Sequence, residues 1–330
     1  MKRCCALGLC LLLLCLCACG GPESYTAETF AFDTVITLTA RCGSAEEFQQ
    51  LRQVVFDRFQ QLHRLFDIYQ EYEGMNNLCT VNRLAGQPVA VEEEILSLLA
   101  LSQEICRQTG GLVNVAQGRL YSLWREARET GILPTGEAIR AAMEHGDADC
   151  LVLGEGTVTL TDPEMTLDVG AVAKGWAAQA AAEAADAAGF TDYVISAGGN
   201  VVTRGHARGG RAWRVGIRDP RSESSGDHVA VVEAEELAVV TSGGYERQLV
   251  VDGKCYCHII DPRTGYPADF VLSATAVCEN SALADGYSTA LFLMTPEEGL
   301  AFARERGFRA LVVDRQGTVR DTGAETKKTG

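Results

Sequence analysis

From residue 193 onward, runs rich in Val, Ile, Thr and Tyr follow one another with little but turn residues between them, at 193–196, 213–218, 229–234, 237–241, 245–251 and 254–260. Parallel strands need a crossover of a dozen or more residues, usually a helix. Strands that follow one another in this way lack such crossovers. The Asp252-Gly253 pair supplies the residues of a primed two-residue turn between two of the runs. The pattern favours an α+β fold over a doubly wound sheet.

The rest of the chain adds helices and a few more strands. Residues 45–69 carry Phe48, Leu51, Val55, Phe59, Leu62 and Phe66 at helical spacing. Helices are also expected at 92–109, ended by Gly110-Gly111, and at 120–129 and 135–144. An alanine-rich helix over 173–188 is closed by Gly189, and two more lie at 282–293 and 296–306. Residues 30–40 alternate as one strand, 151–160 as a hairpin, and 273–278 and 310–313 as further strands.

The start of the chain has a different role. Met1-Lys2-Arg3 precedes an apolar run too short to span a bilayer. The run ends Leu16-Cys17-Ala18-Cys19-Gly20, which resembles a bacterial lipobox and implies diacylation of Cys19 after cleavage. The expected division is a signal peptide over 1–18, a lipid-anchored tether over 19–28, one large domain over 29–322 and a polar tail over 323–330. Acyl chains supply about 0.8 kcal/mol per buried methylene, enough for stable anchoring when more than one is present.

Composition narrows the partners. A formal net charge of −15 repels nucleic acid and anionic headgroups, so attachment to a membrane must come from the lipid. Six of the thirteen cysteines lie in the leader. The other seven, Cys42, Cys79, Cys106, Cys150, Cys255, Cys257 and Cys278, are odd in number and irregularly spaced, which argues against a disulfide framework. Cys255-Tyr256-Cys257-His258 has no second Cys or His pair at zinc spacing.

Four stretches hold more unusual residues than a core needs. In 167–176, Asp168, Gly170, Lys174 and Gly175 stand at a helix entrance, where free N–H groups suit phosphate. The same residues also read as an Asp cap and a surface lysine. In 196–200, Gly198-Gly199 is a turn or a place for a ligand against backbone. In 256–267, His258 ends a strand before a turn rich in Pro, Gly, Asp and Arg. It can act as a general base near neutral pH or serve structurally. In 285–289, Asp285 and Thr289 share one helical face and offer hard oxygen ligands for Mg²⁺, although a Thr hydroxyl bonded back to its own helix is the plainer reading.

Taken in order, FDTVIT at 32–37, FDIYQEYEGMNNLCTVN at 66–82, LDVGAVAKGWA at 167–177, SAGGN at 196–200, VGIRDP at 215–220, TSGGYER at 241–247, HIIDPRTGYP at 258–267 and ALADGYSTALF at 282–292 resemble the ApbE flavin transferase family. The resemblance covers nearly the whole mature chain. It implies an ApbE-like, T-fold-like arrangement of mixed helices and largely antiparallel sheet in a single large domain. It also implies transfer of FMN from FAD to a Ser or Thr hydroxyl of an exported or membrane-bound acceptor, such as an electron-transfer subunit, with Mg²⁺ assisting and AMP released. The enzyme would work on the outer face of the cell membrane.

Position by position, the resemblance assigns Asp285, Thr289 and the Ala171 carbonyl to the metal. Phe32, Tyr69, Asn114, Val115, Ala116, Asp168 and Lys174 fall to FAD, Tyr69 as an aromatic platform for the flavin. His258 is assigned to proton transfer. Two stretches depart from the family pattern: 76–82, and 113–118, where Asn114 begins Asn-Val-Ala-Gln-Gly and a family aspartate is lost. Two other functions use the same residues, a Mg²⁺-dependent FAD pyrophosphatase giving FMN and AMP, and a non-catalytic FAD-binding lipoprotein.

Overall fold

The computed structural model describes residues 22–323 apart from Ser225 and Glu246. Cys19 and the rest of the leader lie outside the described residues, as does the tail beyond Gly323.

An eight-stranded sheet runs in the order Glu23–Ala31, Thr34–Cys42, Tyr193–Ala197, Asn200–Arg204, Ala238–Gly243, Val271–Cys278, Arg309–Asp314 and Val319–Asp321. Every neighbouring pair is antiparallel. The mixed, largely antiparallel α+β architecture is therefore as expected. Two boundaries are not. Residues 23–28, expected as tether, already belong to the edge strand. The single strand expected over 30–40 is a hairpin that reverses at Phe32-Asp33.

That turn has φ of 52° at Phe32 and 61° at Asp33. Positive φ at two adjacent positions is what a primed hairpin turn demands, and a bulky aromatic meets the demand at a steric cost. The ring is held from below by Phe59, Phe66 and His63.

Three helices lie side by side on one face of the sheet, Ala45–Phe66, Ala173–Ala187 and Ser281–Phe292. The first begins because Ser44 accepts the Glu47 N–H, and it buries an apolar stripe from Phe48 to Phe66. Each large side chain of that stripe contributes about 1.5–3 kcal/mol by leaving water. The second has no large stripe. Ala177, Ala178, Ala181, Ala182 and Ala185 are fully buried, so its backbone can approach its neighbours closely.

On the other face, the ribbon Trp213–Arg218 with His228–Ala234 packs Ile217, Val232 and Ala234 against Val239, Val277 and Leu311. A separate small core joins helices Gly118–Thr130 and Gly136–Met143 to the ribbon Gln248–Val251 with Lys254–Cys257. This subunit of the fold stands beside the end of the main sheet, and the space between them is the candidate site. All seven described cysteines are free thiols.

Candidate functional site

Between the main sheet and the small core lies a cavity of about 570 Å³, within the range of small-molecule sites. Phe32, Tyr69, Asn114, Val115, Asp168, Ala171, Lys174, His258, Asp285 and Thr289 all line it. Ala116 does not. It is buried in the core, and its N–H is taken by the Asn114 side chain at 2.9 Å.

The collar around Asp285 is the most tightly built part. Its Oδ2 accepts the Gly175 N–H at 2.8 Å and the Asn200 amide at 3.1 Å, and lies 3.7 Å from Lys174 Nζ. Burial raises the Asp285 pKa, and the nearby Lys174 ammonium works against that rise. One turn on, the Thr289 hydroxyl donates to the Asp285 carbonyl at 3.2 Å and lies 3.4 Å from Ser242 Oγ. The plain reading of Thr289 as bonded back to its own helix thus holds while the residue still faces the cavity.

The helix entrance at 167–176 differs from the sequence expectation. Asp168 Oδ1 accepts the Gly170 N–H at 2.9 Å, which makes a local turn rather than a cap on the helix. The Ala173 N–H goes to the Val169 carbonyl, that of Gly175 to Asp285 and that of Trp176 to the Val172 carbonyl. These three donors are spent within the protein, and the Lys174 side chain, whose Nζ bonds the Gly170 carbonyl at 3.0 Å, brings positive charge to this part of the cavity.

Tyr69 is carried on the loop after the first helix. Asp67 Oδ1 accepts the N–H groups of Tyr69 and Gln70, at 2.7 and 3.1 Å, and stops the helix there. The ring is 66% exposed, with Arg125 Cζ 4.6 Å over its centroid. Asn114, where the family aspartate is lost, spends its amide on the Ala116 N–H and the Gly146 carbonyl. It shapes the wall through backbone bonds.

His258 sits between strand Lys254–Cys257 and the short strand Ile260–Asp261. Its Nδ1 is buried and has no hydrogen-bond partner among the described residues. Burial pushes its pKa down to about 4, helped by Arg128, Arg247 and Lys174; the Arg247 backbone opposes the shift without closing a bond. The imidazole is therefore neutral at pH 7. The rest of its motif is scaffold: Asp261 binds Arg263 side chain and backbone, and the Gly265 carbonyl accepts the Trp124 indole N–H at 2.7 Å.

Several lining residues carried no signal as single positions. Arg125 and Arg128 lie on helix Gly118–Thr130 outside any motif, and His63 and Tyr121 read only as parts of helices. Asn200, Ser242 and Arg247 fall inside motif segments, where their chemistry becomes visible only beside Asp285 and Asp33.

The model of the ApbE family matches residues 32–312. The chain belongs to the ApbE family. Among curated ApbE relatives, a Treponema pallidum protein named FAD:protein FMN transferase is 31% identical over 74% of each chain. A Vibrio cholerae protein of the same name is 29% identical over 76% of each. The crystal structure of the ApbE protein of Thermotoga maritima superposes with a TM-score of 0.83 at 28% identity, covering 90% of this chain and 96% of that one.

The donor set fits a hard divalent cation. Among the described residues no group of three or more His, Cys, Asp or Glu is gathered. One buried carboxylate with a hydroxyl one turn on suits Mg²⁺, which keeps water and phosphate in most of its shell. The Lys174 ammonium 3.7 Å from Asp285 shows that this carboxylate already attracts a cation.

Proposed function

We propose that this chain is an FAD:protein FMN transferase that moves FMN from FAD to a Ser or Thr hydroxyl of an exported or membrane-bound protein and releases AMP. What carries the reading is the agreement between the shared name of its ApbE relatives and one cavity lined by residues from widely separated motifs.

In this reading Asp285, Thr289 and the Ala171 carbonyl hold Mg²⁺, which supplies positive charge at the phosphate oxygens when bound. Tyr69 offers its exposed face to the flavin ring. Lys174 moves from Asp285 to the diphosphate. His258, neutral and enclosed, accepts the proton of the acceptor hydroxyl as that oxygen meets phosphorus. Positioning and fixed charge supply most of the rate. Cys19 carries the lipid that holds the enzyme at the outer face of the cell membrane; among the described residues no helix is long and apolar enough to cross one.

The test is incubation with FAD, Mg²⁺ and candidate exported proteins, followed by mass analysis. A protein gaining the mass of FMN together with stoichiometric AMP supports transfer. Free FMN and AMP with unmodified protein would make the chain a pyrophosphatase, and bound FAD without AMP would make it a binder. Cys19→Ser should release the protein from the membrane fraction without changing turnover in detergent.

A further inference from the structure

Asp285 and Lys174 pair in the cavity, whose walls also carry Asp33, Asp67, Asp168, Arg125, Arg128 and Arg247. Two of the three arginines are held by partners. Arg125 Nη1 lies 2.6 Å from the Tyr69 hydroxyl and 3.9 Å from Asp168 Oδ2. Arg247 Nη2 lies 3.5 Å from Asp33 Oδ2 and 3.3 Å from the Asp33 carbonyl.

Arg128 is different. It is half-buried, lines the cavity and has no ion pair or hydrogen bond among the described residues. Burial lowers its pKa, and Arg247 and then Arg125 lower it further. Such a crowded guanidinium is costly until an anion joins it. The charged groups bearing on His258 are Arg128, Arg247 and Lys174.

The reaction supplies a suitable anion. The acceptor O–H loses its proton and its oxygen bonds to the FMN phosphorus. The bond from that phosphorus to the bridging oxygen breaks, and its electron pair leaves with AMP. FAD's diphosphate carries two negative charges; the FMN phosphodiester and AMP together carry three, and the proton released balances them. Negative charge therefore grows as the bond breaks, and a guanidinium without a partner is the group best placed to meet it.

We propose that Arg128 is a catalytic residue that binds the diphosphate of FAD, with Arg125 and Arg247 completing the subsite. This rests on the transferase reading above. Nothing in the sequence motifs assigns the role, because Arg128 lies outside every motif segment.

The experiment compares wild type, Arg128→Gln and Arg128→Lys in binding FAD and riboflavin, without metal or acceptor, by flavin fluorescence. Riboflavin has the ring and no phosphate. Arg128→Gln should weaken FAD binding about tenfold or more while riboflavin binding stays within twofold, and Arg128→Lys should fall between. In turnover, the acid limb of the kcat/KM profile should move to higher pH in Arg128→Gln, because one cation suppressing the His258 proton is gone. A loss shared equally by FAD and riboflavin, or no loss of FAD affinity, overturns the subsite. Arg128→Gln should unfold no earlier than wild type, because it relieves repulsion; if it misfolds, a wild-type FAD affinity in Arg128→Lys together with an unmoved acid limb overturns it instead. A wild-type enzyme that binds FAD and never yields AMP with any acceptor would fail the transferase reading alone, because the binding comparison does not use the acceptor.

Discussion

The Gly175 N–H donates to Asp285 Oδ2 at 2.8 Å, and the absence of a side chain on Gly175 makes that distance reachable. A Cβ there would fall 2.3 Å from the Ser281 carbonyl oxygen and 2.5 Å from Asp285 Cβ. Helices Ala173–Ala187 and Ser281–Phe292 meet at this point, so one missing methyl sets both their spacing and the position of the proposed metal carboxylate.

Gly175→Ala must therefore push the two helices apart. Overpacking of this kind costs about 1–3 kcal/mol. Denaturant unfolding should show that loss, and turnover should fall further than stability because Asp285 moves with its helix. Wild-type turnover in Gly175→Ala would contradict the placement of Asp285 in the reacting centre.

Asp285→Asn separates stability from function. Burial disfavours the charged form of the Asp285 carboxylate by more than Lys174, Gly175 and Asn200 return. A neutral amide of the same shape should raise the unfolding midpoint. Transfer should drop by about a hundredfold or more as charge at the metal is lost. A lower midpoint with intact transfer would reverse both conclusions.

The long elements were legible in the sequence because burial imposes a period on them: helix Ala45–Phe66 and the alternating strands of the second half stand where the pattern puts them. The Phe32-Asp33 turn was not, because it lacks the Gly or Asn that usually marks positive φ; contacts with Phe59, Phe66 and His63 hold it instead. Sequence order likewise brought nearly all of the site residues together. Ala116 was misplaced because neighbours in a loop do not share a direction. Arg128 was invisible because a helical arginine gains meaning only when another wall faces it.

Tyr69 supplies a third expected outcome. A ring 66% exposed at the cavity, backed by Arg125, is a stacking surface waiting for a partner. Aromatic stacking contributes about 0.5–1.5 kcal/mol beyond area. Tyr69→Ala should weaken riboflavin and FAD binding by similar factors of about three to ten, and Tyr69→Phe should retain most affinity. Fluorescence titration decides it; an effect on FAD alone would move Tyr69 away from the flavin ring.

His258 carries two pH signatures. A histidine whose folded pKa is near 4 and whose ordinary value is 6.5 binds fewer protons folded than unfolded between those values. Stability from this group is fully present above about pH 6.5 and is lost as pH falls toward 4. Unfolding measured across that window should show wild type losing stability that His258→Gln keeps. The same shift governs turnover. The acid limb of kcat/KM reports the free enzyme and should lie near pH 4. The limb of kcat should lie higher, because bound diphosphate cancels the field of Arg128, Arg247 and Lys174 and lets the imidazole hold its proton. Coincident limbs in the two profiles would mean that the diphosphate does not lie among those three cations.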